Sequence, residues 1–286
     1  MTTPSWMEAL ALKSASIPFR RKLVIVWAVI FGVMGVVFAL ARFDTDWMRR
    51  NFLFIATGLR TTVFIAVAAI ILAIVLALLG ALGRLSKNPI AFGLTGFYTS
   101  FFRGTPLIVQ MFLIYFALPQ MGRAGPDWLG DLLILDAVPA GILALGLNYG
   151  AYMTEIFRAG IQSVSGGQTE AAGAIGMNYA QTMRRVVLPQ AIRVIIPPTG
   201  NEFIAMMKDT ALVSFLGATA SQLEVFRKAQ LLGRADNRNL EAFIVSALLY
   251  WGLTTVFTYF QGKLERRMGT GYTREGQPVR KAAAHG

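Results

Sequence analysis

Asn201, Glu202, Lys208 and Asp209 are polar residues inside a stretch otherwise apolar enough to cross a membrane, Val194–Leu216. At helical spacing Glu202 and Asp209 share one face, as do Asn201 and Lys208, because residues seven apart are two turns apart. Together they offer anionic and cationic partners to a zwitterionic solute. The same residues also admit a structural reading, in which Lys208 and Asp209 neutralise neighbouring charges and Asp209 caps a new helix at Thr210. A second cluster is Asn148, Tyr152 and Glu155, at i, i+4 and i+7 on one helical face. A carboxylate within a membrane helix costs roughly 2.5–3.5 kcal/mol on insertion scales, so it is expected to face protein or water. Glu155 lies one turn before Arg158, near the cytoplasmic end, and reads first as half of a structural ion pair at the interface; Asn148 and Tyr152 lie deeper and are better placed to touch a solute. In a third stretch, Arg103 and Gln110 flank Gly104-Thr105-Pro106 on one face. Arg103 reads as structural, either snorkelling or bound to freed carbonyls, and Gln110 as a pathway residue.

These side chains need a membrane scaffold. Hydrophobic residues are 55% of the chain, charged residues 15%, and mean hydropathy is +0.54. Soluble domains carry roughly 25% charge. Six apolar windows approach the ~20 residues a helix needs to span a bilayer: Leu23–Ala41, Thr62–Leu82, Phe97–Leu118, Ala137–Phe157, Val194–Leu216 and Leu240–Phe260. The fold class expected is therefore an all-α integral membrane protein. Pro197-Pro198 removes two backbone donors and is expected to break the fifth window just before Gly200-Asn201-Glu202. Broken helices at membrane depth are tolerated where they line a cavity and mark substrate sites in transporters.

Arg20, Arg21 and Lys22 precede the first window, but its length and the Arg42-Phe43-Asp44 that follows argue for a retained helix rather than a signal peptide. The net charge of +12 suits a membrane better than a nucleic acid, since basic residues favour the segments that are internal when both termini are cytoplasmic. That bias is mild, because Arg42, Arg49, Arg50 and Arg60 fall outside. The chain has no cysteine and one histidine, His285, which excludes thiolate chemistry and a histidine metal cluster. No P-loop is present, so any ATP-driven step needs another chain. The organisation expected is residues 1–50 as a basic tail with one helix, 51–267 as one integral domain, and 268–286 as a disordered cytoplasmic tail.

The loop 158–190 between the fourth and fifth windows carries Glu170-Ala171-Ala172, Gly173, Gly176 and Leu188-Pro189. Glu170 is expected near the positive start of a short helix, kept slim by its alanines, with Gly176 permitting a sharp exit. This spacing resembles the EAA loop of type I ABC importer permeases, with Val186 where isoleucine is usual. Three strings narrow the resemblance: Phe102-Arg103-Gly104-Thr105-Pro106-Leu107, Leu147-Asn148-Tyr149-Gly150-Ala151-Tyr152 with Glu155-Ile156-Phe157-Arg158, and Asn201-Glu202-Phe203 with Lys208-Asp209-Thr210. Together they are similar to the polar amino-acid permeases of the histidine, glutamine, arginine and opine group, over about Thr61 to Arg267.

The resemblance implies a five-helix permease core plus one N-terminal helix, in the cell inner membrane. It implies ATPase coupling through Glu170, Ala171, Ala172, Gly173, Gly176, Leu188 and Pro189, and a pathway drawing on Gln110, Asn148, Tyr152, Glu155, Asn201, Glu202, Lys208 and Asp209. The partners implied are an ABC ATPase in two copies, a second permease chain, identical or paralogous, and an extracytoplasmic amino-acid-binding protein. No cofactor is expected in this chain, ATP and Mg being held by the ATPase. A gradient-driven carrier relaying protons through Glu155, Glu202 or Asp209 is the competing class, though it leaves the Glu170 loop unexplained. A membrane enzyme finds no convincing constellation.

Overall fold

The structure is a computed structural model, which describes residues 18–41, 43–217 and 223–269. Most of the tail expected to be disordered, 268–286, lies outside the described residues. The chain divides into two compact units, Met1–Arg50 and Asn51–Gly286. In the first, helix α1 (Phe19–Ala41) is apolar around its whole circumference after its basic start, and Trp27 stacks on Phe31 at 5.7 Å. Helix α2 follows (Thr45–Ala56).

All regular elements among the described residues are helical. Among the described residues, three stretches are both long and apolar enough to cross a membrane by length and composition: Thr45–Leu85, Leu107–Ala124 and Asn239–Met268.

The centre of the second unit is the pair α3 (Gly58–Leu85) and α7 (Ala137–Gln162), which make the most extensive helix contact in the chain. Lipid tails supply no hydrophobic drive between helices, so association depends on close backbone approach across small residues. Helix α3 supplies Ala66, Ala69, Ala73, Ala77 and Ala81, spaced three or four apart and fully buried. Helix α7 answers with Gly146 beneath Leu72 and Gly150 beneath Leu76 and the Tyr98 hydroxyl, where a Cβ would come within 3 Å of each neighbour. The pair is thereby rigid, and the polar residues of α7 project from a fixed surface.

The third apolar window, Phe97–Leu118, is two helices that part at the Gly104-Thr105-Pro106 break. Helix α4 (Pro89–Gly104) starts with Pro89 at its first turn and Asn88 capping the Ile90 and Ala91 amides. It stops at Thr105, whose backbone is extended ahead of Pro106, and α5 (Leu107–Ala124) begins afresh. The residue before a proline is pushed out of the helical region, which places the break. A short α6 (Asp127–Leu133) leads to α7.

The double proline of the fifth window does not break the chain, contrary to expectation. Helix α10 runs unbroken from Leu188 to Asp209 through Pro197 and Pro198. A neighbouring helix packs against this stretch: α12 (Asn239–Gly269) sends Gln261 Nε2 to the Pro197 carbonyl at 2.8 Å, over Gly200, where a Cβ would meet the Gln261 amide. The α-helix ends instead at Asp209 and tightens into a 3-10 turn, Thr210–Leu216. Helix α11 (Val225–Ala235) then precedes α12.

Between α7 and α10 lie α8 (Gly166–Ala174), α9 (Tyr179–Thr182) and a π-helical turn, Met183–Val187. Helix α7 itself extends to Gln162, so the first residues of the expected loop 158–190 are helical.

Candidate functional site

The break at Thr105-Pro106 has an electrostatic consequence. Pro106 has no N–H, so the Phe102 carbonyl four residues earlier loses its helical partner. Two side-chain amides replace it: Gln110 Nε2 donates to the Phe102 carbonyl at 2.9 Å, and Asn148 Nδ2 donates to it at 3.0 Å. Gln110 also donates to the Thr105 carbonyl at 3.0 Å and accepts from Asn148 at 3.0 Å. This buried network locks the broken α4–α5 segment to α7. Gln110 is only 2% exposed and its amide is consumed in that network.

Beside the break is a cavity of about 360 Å³, within the usual small-molecule range of roughly 300–1,000 Å³. Thr105, Pro106 and Leu107 line it from the break, Asn148, Tyr149 and Tyr152 from α7, and Glu202 and Asp209 from α10. The Tyr149 hydroxyl donates to Asp209 Oδ2 at 2.8 Å. That bond occupies Asp209, which makes no cap hydrogen bond to the 3-10 turn after it, so the expected cap at Thr210 is not made. Neither Glu202 nor Asp209 has a cation within ion-pair reach among the described residues. Two carboxylates facing one void without a countercharge are costly in a membrane, and a cationic group in the cavity would relieve that cost.

Of the eight residues expected in a pathway, four line this cavity: Asn148, Tyr152, Glu202 and Asp209. Gln110 stands behind it. Glu155 is outside, held by Arg158 Nη2 at 2.7 Å and Arg84 Nε at 3.6 Å, which is the interfacial ion pair. Asn201 and Lys208 are exposed and absent from the lining; they occupy a different face of α10 from Glu202 and Asp209. Tyr149, Thr105 and Leu107 were not anticipated. The guanidinium of Arg103 lies over the ring of Tyr152, 5.4 Å from the centroid, rather than on freed carbonyls.

The loop forms a second candidate site. Helix α8 ends in a Schellman turn: Gly176 has φ +82°, its N–H reaches the Gly173 carbonyl at 2.9 Å, and Met177 N–H reaches the Ala172 carbonyl at 3.0 Å. Glu170 is not in the first turn, contrary to expectation, but at the middle of α8. Ala172 packs inward at 4% exposed, while Glu170, Ala171 and Gly173 face outward. Just beyond, Ile175 and Tyr179 are 75% and 79% exposed. Leu188 and Pro189 open α10.

A rigid helical scaffold, a polar cavity and an exposed helical loop define a membrane transport component. Residues 73–270 match the family model described as binding-protein-dependent transport system inner membrane component. The chain belongs to this family, and is a transport subunit rather than an enzyme. It is 38% identical over 229 residues to the probable amino-acid permease protein YxeN of Bacillus subtilis (strain 168), covering 80% of this chain and 97% of that one. It is 36% identical over 221 residues to the histidine/lysine/arginine/ornithine transport system permease protein HisQ of Salmonella typhimurium (strain LT2), covering 77% and 95%. Among solved structures, an amino acid ABC transporter crystallised with histidines superposes with TM-score 0.70 at 36% identity, covering 78% of this chain and 98% of that one.

Proposed function

We propose that this chain is the permease subunit of an ATP-driven importer of polar amino acids, that the cavity beside Pro106 is the substrate's station, and that α8 couples it to a separate ATPase. Six spans with both termini cytoplasmic put α8 and Gly176 on the cytoplasmic side. There the outward face of Glu170, Ala171 and Gly173 meets one ATPase subunit, Leu188-Pro189 carrying the thrust into α10. Two permease chains, identical or paralogous, pair with two ATPases that hold ATP and Mg. An extracytoplasmic binding protein delivers the amino acid. Closure of the ATPases pushes α8 and, through α10, moves Glu202 and Asp209 relative to α7; this alternately exposes the cavity to the two sides.

The observation that carries this reading is the exposed apolar pair Ile175 and Tyr179 beside α8. Large apolar side chains in a short loop between membrane helices mark a protein interface. The test is mild-detergent purification with the products of neighbouring genes and intact-complex mass spectrometry, on wild type and Glu170→Lys. An ATPase should accompany the wild type and be weakened or lost in the variant. A well-folded wild type without any ATPase would instead favour a gradient-driven carrier using the Glu202–Asp209 pair.

A further inference from the structure

Arg103 is the one charged residue on the broken segment between Asn88 and Leu118. It stands fourteen residues into α4, about 21 Å along the helix at 1.5 Å per residue, inside the third apolar window. An arginine there costs roughly 2.5–3.5 kcal/mol on insertion scales unless it meets protein or water. Its position in the last turn of α4 suits the negative helix end, but that accounts for only part of the cost. It has no ion-pair partner among the described residues: the nearest candidate on α7, Glu155, is engaged by Arg84 and Arg158. Its guanidinium is exposed and rests on Tyr152, a residue of the cavity wall. Cations within about 6 Å of a ring centroid are held by the ring face, which fixes the guanidinium's plane while leaving its N–H groups available.

Charge of both signs therefore meets at this wall: the acids line the cavity itself, and the guanidinium stands outside its lining, against the Tyr152 ring. Glu202 and Asp209 lie on α10, and the unpaired guanidinium stands on Tyr152 of α7. We infer that Arg103 receives the substrate's α-carboxylate while Glu202 and Asp209 receive its cationic end. Arg103 is thereby a specificity-determining residue that admits amino acids and rejects amines or amides of the same side chain. A guanidinium matches a carboxylate with two parallel N–H···O bonds, which a carboxamide cannot reproduce. Neither Arg103 nor Lys208 is among the lining residues, but of the two it is Arg103 that rests on one of them, Tyr152.

This inference rests on the cavity being the substrate's station. The test is equilibrium binding to the detergent-solubilised permease–ATPase complex, using L-arginine, L-histidine and L-glutamine, each beside its α-carboxamide. The wild type should prefer at least one amino acid over its amide by about tenfold or more, as loss of a charge-assisted pair implies. Arg103→Gln should bring that ratio close to one, Arg103→Lys should restore part of it, and Lys208→Gln should leave it unchanged. Because the readout is a ratio, partial misfolding lowers both ligands together and does not mimic the effect. Equal weakening of acid and amide in Arg103→Gln overturns the inference alone, as does loss of the ratio in Lys208→Gln instead. No binding to the wild type, or unchanged binding in Glu202→Gln with Asp209→Asn, overturns the cavity reading and this inference with it.

Discussion

Glu224 and the Glu202–Asp209 pair are carboxylates in the same subunit with opposite surroundings. Glu224 is 2% exposed and caps α11. It accepts the Phe226 N–H at 2.8 Å and the Arg227 N–H at 2.6 Å, together with the hydroxyls of Ser214 and Tyr250. Four donors enclose it, from α11, the 3-10 turn and α12. Asp209 accepts one hydroxyl, from Tyr149, and both it and Glu202 face a cavity. A buried acid whose oxygens are all met is a fastener. An acid pair beside empty space, with neither countercharge nor a full set of donors, is arranged for something that arrives. Buried polar groups left short of partners cost stability, and a transporter can tolerate that cost where the substrate offsets it.

The sharpest way to separate the two regions is to neutralise the pair. Glu202→Gln with Asp209→Asn should lower ATP-driven uptake by about a hundredfold, the scale of two lost charge-assisted contacts, while thermal stability holds or rises because a repulsion is removed. Uptake by proteoliposomes and unfolding in detergent measure the two sides. The converse is Glu224→Ala, which orphans the hydroxyls and the helix cap; it should cost on the order of 3 kcal/mol of stability. Uptake per correctly folded complex should stay within about threefold. If Glu224→Ala instead abolishes uptake without destabilising, the fastener reading of Glu224 is wrong.

Tyr149→Phe removes the single donor on Asp209 without emptying the wall. Substrate affinity should change by roughly fivefold, since one hydrogen bond contributes about 1 kcal/mol, with the fold untouched. The smallest effect concerns pH. Burial pushes the Glu224 carboxyl above its ordinary value of 4.5, its four hydrogen bonds opposing the shift only in part. Tyr250 is the titratable side chain bonded to it. The folded state therefore holds this proton more tightly than the unfolded one. The stability contributed is complete below the unfolded value and declines as pH rises through the folded one. Thermal scans from pH 4 upward should show that decline in the wild type and a flatter profile in Glu224→Gln.

Much of the scaffold was legible because membrane helices announce themselves by length and apolarity: α3 and α12 contain the windows Thr62–Leu82 and Leu240–Phe260. Helical spacing placed Glu202 with Asp209 and Asn201 with Lys208, but periodicity cannot say which face a neighbour turns into a cavity. Proline was misleading in one place and informative in another. Pro106 broke its segment because the preceding Thr105 is extended and Phe102 found side-chain donors, one of them 46 residues away. Pro197-Pro198 did not break α10; there the Pro197 carbonyl meets a glutamine 64 residues along the chain, over a glycine one turn on. Such partners are set by tertiary contact and leave no local mark. Glu224 was invisible for a similar reason: glutamate is not a usual cap residue, and its hydroxyl partners come from two other elements. Glu170 moved from the start of α8 to its middle because the helix begins at Gly166, directly after Ser165, a favoured cap residue that the reading from Glu170 passed over.

The most direct measurement is a structure of the assembled transporter bound to the amino acid it imports. The account predicts density in the cavity beside Pro106, with the cationic end at Glu202 and Asp209 and the carboxylate at Arg103. An amino acid bound elsewhere in the permease, with Tyr149 and Asp209 unchanged around an empty cavity, would contradict it.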